Sequence, residues 1–116
     1  MTDITIYHNP QCTKSRATLA LISNQQNKVT VIEYLKEAPT KSQLLHIIGL
    51  LGYSSAHQLI RYKEDIYKVL ALSDSSDEDA LLEAMCNNPR LIERPIVLAN
   101  NQARIGRPPE SVLEIL

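Results

Sequence analysis

A chain of 116 residues, with 44% hydrophobic and 22% charged side chains, has the size and balance of one soluble globular domain. Its formal net charge of -1 supplies no global field toward nucleic acid or an anionic membrane, so any anion must be held by basic residues gathered locally. The start lacks the basic and apolar regions of a signal peptide, and no apolar run approaches the roughly 20 residues that span a bilayer.

Two cysteines, Cys12 and Cys86, make neither a disulfide framework nor a metal-ligand spacing. A monomer in a reducing cytoplasm, with no bound cofactor or metal, is the expectation. Nothing suggests a linker or repeat, so residues 1–116 are expected to form a single domain.

Ile4 to Tyr7 alternates strand-forming residues and stops at Asn9-Pro10. From about Thr13 to Gln25 the chain favours helix, with Ala17, Leu19, Ala20, Leu21 and Ile22 as its apolar side. Val29 to Tyr34 reads as a second strand. Strand, helix and strand within about 30 residues make a βαβ unit, so these two strands are expected to be parallel.

Thr40 is placed to cap a helix whose Leu44, Ile47, Ile48 and Leu51 form one stripe, weakened at its end by Gly49 and Gly52. Shorter helical pieces are expected across 54–71. A further helix from about Ser76 to Asn87 carries Leu81, Ala84 and Met85 on one face. Ile96-Val97-Leu98-Ala99, after Pro95, is the continuous apolar run of a covered strand. Asn100-Asn101 suits a hairpin turn, and Ala103 to Gly106 would return antiparallel. Pro108 to Leu116 closes as a helix expected to bury Val112, Leu113 and Leu116. The order is βαβ, a helical insertion, then ββα. That is an α/β, thioredoxin-like fold with a mixed sheet.

The segment Tyr7-His8-Asn9-Pro10-Gln11-Cys12-Thr13-Lys14-Ser15-Arg16 carries the chemistry. It places a cysteine after the carboxyl end of the first parallel strand, at the mouth of the next helix, where α/β folds hold their ligands. Amide groups at a helix N-terminus favour a thiolate, and His8 and Lys14 stand near enough in sequence to add positive charge. Polar neighbours set Cys12 apart from Cys86, which lies beside Met85 in an amphipathic helix and reads as packing.

Spacing removes two chemistries. A dithiol redox cycle needs C-x-x-C, but the resolving position is Ser15. A cysteine phosphatase needs an arginine six residues beyond the nucleophile, but that position is Thr18. What remains is a monothiol that borrows its reducing partner.

Arg61, Arg94 and Arg107 stand in suggestive settings, the last two each before a proline. Guanidinium forks match tetrahedral oxyanions, although singly each also reads as a surface charge. Spacing alone does not bring them to Cys12.

Three segments together carry a resemblance: Ile-Thr-Ile-Tyr-His-Asn-Pro-x-Cys, Glu-Arg-Pro-Ile-Val, and Gly-Arg-Pro-Pro-Glu-x-Val-Leu-Glu-Ile-Leu. From Ile4 to Leu116 the chain resembles the ArsC-type, glutathione/glutaredoxin-dependent arsenate reductase family. The resemblance implies a thioredoxin-like fold, a nucleophilic Cys12 and an assisting His8. It also implies an oxyanion site from Arg61, Arg94 and Arg107, with Ser15 among the substrate-binding residues. Its implied reaction reduces arsenate through a cysteine–arsenic intermediate, with glutathione as co-substrate and glutaredoxin as partner.

Ending at Leu116 without a charged tail, the chain looks like a short, housekeeping-type subgroup, for which another oxyanion substrate stays open. A related branch, the Spx-type regulators, binds RNA polymerase, but its C-x-x-C switch is absent here. An Arg94-Pro95 cis bond beside the nucleophile is a further expectation of this fold.

Overall fold

A computed structural model describes residues 2–24 and 26–116, which gather into two compact units. The first contains the chain up to Glu37 together with Arg94–Leu116, and the second is Ala38–Glu93.

The first unit is a four-stranded mixed sheet. Strand β1 (Thr2–His8) leads through helix α1 (Thr13–Ile22) to β2 (Asn27–Glu33), which lies parallel to it in register from Thr2↔Asn27 to His8↔Glu33. Strand β3 (Ile96–Ala99) pairs antiparallel with β1, and β4 (Gln102–Ile105) pairs antiparallel with β3, giving the order β2-β1-β3-β4. This is the expected thioredoxin-like arrangement. The turn between β3 and β4 holds Asn100 at φ 52° and Asn101 at φ 62°, the left-handed pair that a two-residue hairpin requires and asparagine tolerates. Asn100 Nδ2 also donates to the Ile115 carbonyl at 2.7 Å, fastening the hairpin to the C-terminal segment.

Register decides the core. Ile4 stands opposite Ala99 and Ile6 opposite Val97, so the four share one face of the sheet. Ile22 and Leu19 from α1 cover that face, with Val112 and Ile115 from a 3-10 helix over Pro109–Ile115. Burial of each large aliphatic side chain is worth about 1.5–3 kcal/mol relative to exposure.

Two expectations are corrected here. The buried face of α1 is Ser15, Thr18 and Ile22, whereas Ala17, Ala20 and Leu21 are exposed, because the helix starts with its polar first turn against the sheet. At the C-terminus Val112 and Ile115 are buried, but Leu113 is 48% and Leu116 38% exposed. A 3-10 helix repeats every three residues, which puts 112 and 115 on one side. Helix α1 closes at Ile22, whose carbonyl accepts from Asn27 Nδ2 at 2.9 Å, and the expected end at Gln25 lies outside the described residues.

The second unit is helical. Helix α2 (Lys41–Leu51) opens with a reciprocal cap, Thr40 Oγ1 accepting from Gln43 N and Gln43 Oε1 from Thr40 N. It buries Leu44, Ile47 and Ile48 and stops at Gly52, whose φ of 76° favours glycine. The short helix α3 (Asp65–Val69) falls inside the expected 54–71 stretch. Helix α4 (Glu78–Asn87) is capped by Asp77 and packs Leu81, Leu82, Ala84 and Met85, with α2 among its neighbours. Among the described residues no helix is long and apolar enough to cross a membrane.

Candidate active site

Strand β1 ends at His8, and four residues later the chain turns into α1 with Cys12 as its N-cap. The turn is built by Asn9. Its carbonyl accepts from Cys12 N at 3.0 Å, and its Oδ1 accepts from Gln11 N at 3.0 Å, an Asx turn that closes the loop on itself. Cys12 keeps the extended dihedrals of an N-cap residue (φ -96°, ψ 122°), and its side chain makes no capping hydrogen bond. Arg16, one turn on, clasps the loop from outside by donating from Nη1 to the Pro10 carbonyl at 2.8 Å and from Nη2 to Thr13 Oγ1 at 3.4 Å.

Behind the loop lies a buried polar pair. His8 is 6% exposed and Ser15 fully buried, with His8 Nδ1 and Ser15 Oγ 2.6 Å apart. Ser15 Oγ also accepts from Asn9 N at 3.0 Å. With a neutral imidazole protonated at Nε2, the serine hydroxyl donates to Nδ1. With an imidazolium, Nδ1 donates and the hydroxyl hydrogen turns to another acceptor. Burial holds the His8 pKa below its ordinary value; the Glu33 carboxylate opposes that and the Arg16 guanidinium adds to it. The expected apolar stripe of α1 concealed this pair, yet the strong N-cap and turn preferences of Asn and Ser offered a signal for it.

Sheet topology gathers the rest. The carboxyl end of β1, the amino end of β3 and the carboxyl end of β4 lie on one edge, since Tyr7 pairs with Ile96 and Ile96 with Ile105. Arg94 leads into β3 and Arg107 follows β4, so both belong to the sheet edge from which the Cys12 loop springs. Both are half-buried rather than fully solvated. Arg107 Nε donates to the Arg94 carbonyl at 2.8 Å, and Gly106 N donates to the Pro95 carbonyl at 2.9 Å. The Arg94-Pro95 bond is cis, as expected, and so is Arg107-Pro108. A Cβ at Gly106 would collide with Thr18 Oγ1 and come within 2.8 Å of Pro95 Cγ, so glycine permits this approach of backbone to α1.

Arg61 belongs to the second unit. Its guanidinium donates from Nη1 to Glu64 Oε1 at 2.7 Å, and its Nε lies 3.7 Å from Glu93 Oε1. Glu64 lies three residues on in sequence, while Glu93 comes from a distant segment. Cys86, half-buried on α4, has its thiol pKa pushed up by burial, with Lys41 opposing and Glu83 reinforcing the shift. A thiol so placed is a poor thiolate, in keeping with a packing role.

A family profile described as ArsC family matches residues 7–115. The Escherichia coli (strain K12) protein YfgD is 52% identical to this chain, over 97% of this chain and 96% of its own length. An arsenate reductase of Neisseria meningitidis serogroup B is 45% identical over 100% of both chains. The solved structure of an arsenate reductase from Vibrio cholerae superposes with a TM-score of 0.94 at 49% identity, covering 99% of this chain and 98% of that one.

Proposed function

Because this chain belongs to the ArsC family, we propose that it reduces arsenate to arsenite in the cytoplasm, with Cys12 as nucleophile and glutathione and glutaredoxin as reductants. One observation carries the assignment of residues: the Cys12 loop, Arg94 and Arg107 share one edge of a single sheet. A soft nucleophile and two guanidinium groups at one place suit a tetrahedral oxyanion.

The Cys12 thiolate attacks arsenic and one arsenate oxygen leaves as water, giving a sulfur–arsenic bond. Arg94 and Arg107 hold the remaining oxygens and the charge that develops on them. Glutathione displaces a second hydroxyl. The thiol of glutaredoxin then attacks the glutathione sulfur, and the electron pair of that sulfur–arsenic bond stays on arsenic, which becomes trivalent. The products of this step are a glutaredoxin–glutathione disulfide and arsenite still bound to Cys12. Water releases arsenite and restores the thiolate. His8 and Ser15 serve the thiol from behind the loop. For Ser15 this is a structural office, since its hydroxyl is engaged by His8 and Asn9 N. The resemblance also assigns Arg61 to the oxyanion. In that role its guanidinium would leave Glu64 or share itself with it.

Reduction needs two electrons, and Cys12 ends each cycle as it began, so both must come from other thiols. The donor test follows. NADPH oxidation should be seen with arsenate, glutathione, glutaredoxin and glutathione reductase, and should be absent with thioredoxin and thioredoxin reductase alone. Full turnover in the thioredoxin system would show that Cys86 supplies the second thiol. No turnover with either donor, using well-folded protein, removes arsenate as the substrate.

A further inference from the structure

His8 is the last residue of β1, and its partner in the parallel register is Glu33, the last residue of β2. Register partners on neighbouring strands point to the same face, here the face of Ile4 and Ile6 that α1 covers. The imidazole therefore has Ser15 Oγ against Nδ1 from the helix side and a carboxylate-bearing strand residue beside it.

The charged groups around it come from three directions. Glu33 stands on β2, with Lys36 Nζ 3.6 Å from its Oε1. Arg16 stands on α1, pinned to the Pro10 carbonyl. On the other flank of β1, strand β3 begins opposite Tyr7 and is preceded by Arg94. Of these, Glu33 and Arg16 act on the imidazole, in opposite senses. Burial is the largest influence and favours the neutral imidazole, Arg16 adds to it, and the Glu33 carboxylate alone opposes them.

We propose that Glu33 is a positioning residue for His8, its carboxylate standing beside the ring as the counter-ion that the imidazole meets when it takes up a proton behind the Cys12 loop. The inference rests on the reading of His8 as the residue that assists the thiol. An imidazolium supported in this way adds positive charge behind the nucleophile and releases the Ser15 hydroxyl hydrogen from Nδ1. Glu33 touches no reacting atom in this role and acts only through His8.

Two titrations test it. The ring protons of His8 are followed by NMR against pH in the wild type, Glu33→Gln and Lys36→Gln, with His8 identified by its loss in His8→Gln. In parallel, alkylation of Cys12 by iodoacetamide is measured against pH in a Cys86→Ser background. Glu33→Gln should move the His8 midpoint to lower pH and the alkylation profile to higher pH. Lys36→Gln, which removes the cation paired with Glu33, should move the His8 midpoint upward, and it reports even if Glu33→Gln folds poorly. A His8 midpoint unmoved by both substitutions overturns the proposal. A midpoint that moves while Cys12 alkylation does not leaves the Glu33–His8 pairing standing and overturns the role given to His8 in the reaction.

Discussion

Arg107 Nε donates to the backbone carbonyl of Arg94 at 2.8 Å, so one candidate anion binder anchors the segment that carries the other. Lysine cannot reproduce this, because its single nitrogen can serve the carbonyl or an oxyanion but lacks the planar fork that serves both. Arg107→Lys should lower kcat/KM for arsenate at least about tenfold, near 1.4 kcal/mol, and should also lose about 1 kcal/mol of stability with the hydrogen bond. Arg94→Lys should show the same kinetic loss. Steady-state kinetics beside urea denaturation separates the two losses, and wild-type kcat/KM in both variants would return these arginines to the status of surface charges.

Cys12→Ser should abolish arsenate reduction and leave the fold intact. The residue sits half-buried in a loop held together by Asn9 and Arg16, not by its own side chain. Cys86→Ser should keep most of the activity, with a modest stability loss from a hydroxyl placed in the partly buried face of α4. Activity assays paired with circular dichroism check both, and turnover in a folded Cys12→Ser protein refutes the mechanism.

Ser15→Ala should be costly for so small a change. It leaves the Asn9 amide and His8 Nδ1 without their buried partner, a penalty of about 1–3 kcal/mol. The urea midpoint should fall with little change in slope. An unchanged midpoint would mean that the pocket behind the loop admits water in place of the hydroxyl.

Acid should weaken the folded state through His8 before the carboxylates begin to titrate. Burial, with a smaller push from Arg16 against Glu33, holds its folded pKa below the value near 6.5 of an unfolded chain. Between those two values the unfolded state binds more protons, so stability rises with pH. The contribution is complete above the unfolded value and is lost as pH falls through the folded one. Unfolding free energies measured from pH 7 down to about pH 5 should therefore decline less steeply in His8→Gln than in the wild type; equal slopes would show that the folded imidazole charges as freely as the unfolded one.

The sequence by itself determined the elements and the place of the nucleophile. Strand alternation at Ile4–Tyr7, the Thr40 cap, the paired asparagines at 100 and 101 and the prolines at 95 and 108 act over a few residues, through dihedral preference and local hydrogen bonding. Such terms survive without a tertiary context, so the βαβ and ββα halves and Cys12 at a strand–helix junction were legible. What only the tertiary structure decided is which side chains meet. Pairing of Tyr7 with Ile96, about ninety residues apart, sets the edge shared by the Cys12 loop, Arg94 and Arg107. The tilt of α1 on that sheet buries Ser15 and Thr18 in place of Ala17 and Leu21, and creates the His8–Ser15 pair. The tight three-residue repeat at the C-terminus exchanges Leu113 and Leu116 for Ile115. Glu64 reaches Arg61 from three residues along the chain, whereas Glu93 meets it because the antiparallel bridge between Ile60 and Ile92 sets those two segments side by side. Periodicity assigns a side chain to a face of its own element; register and packing between distant segments decide what that face encounters.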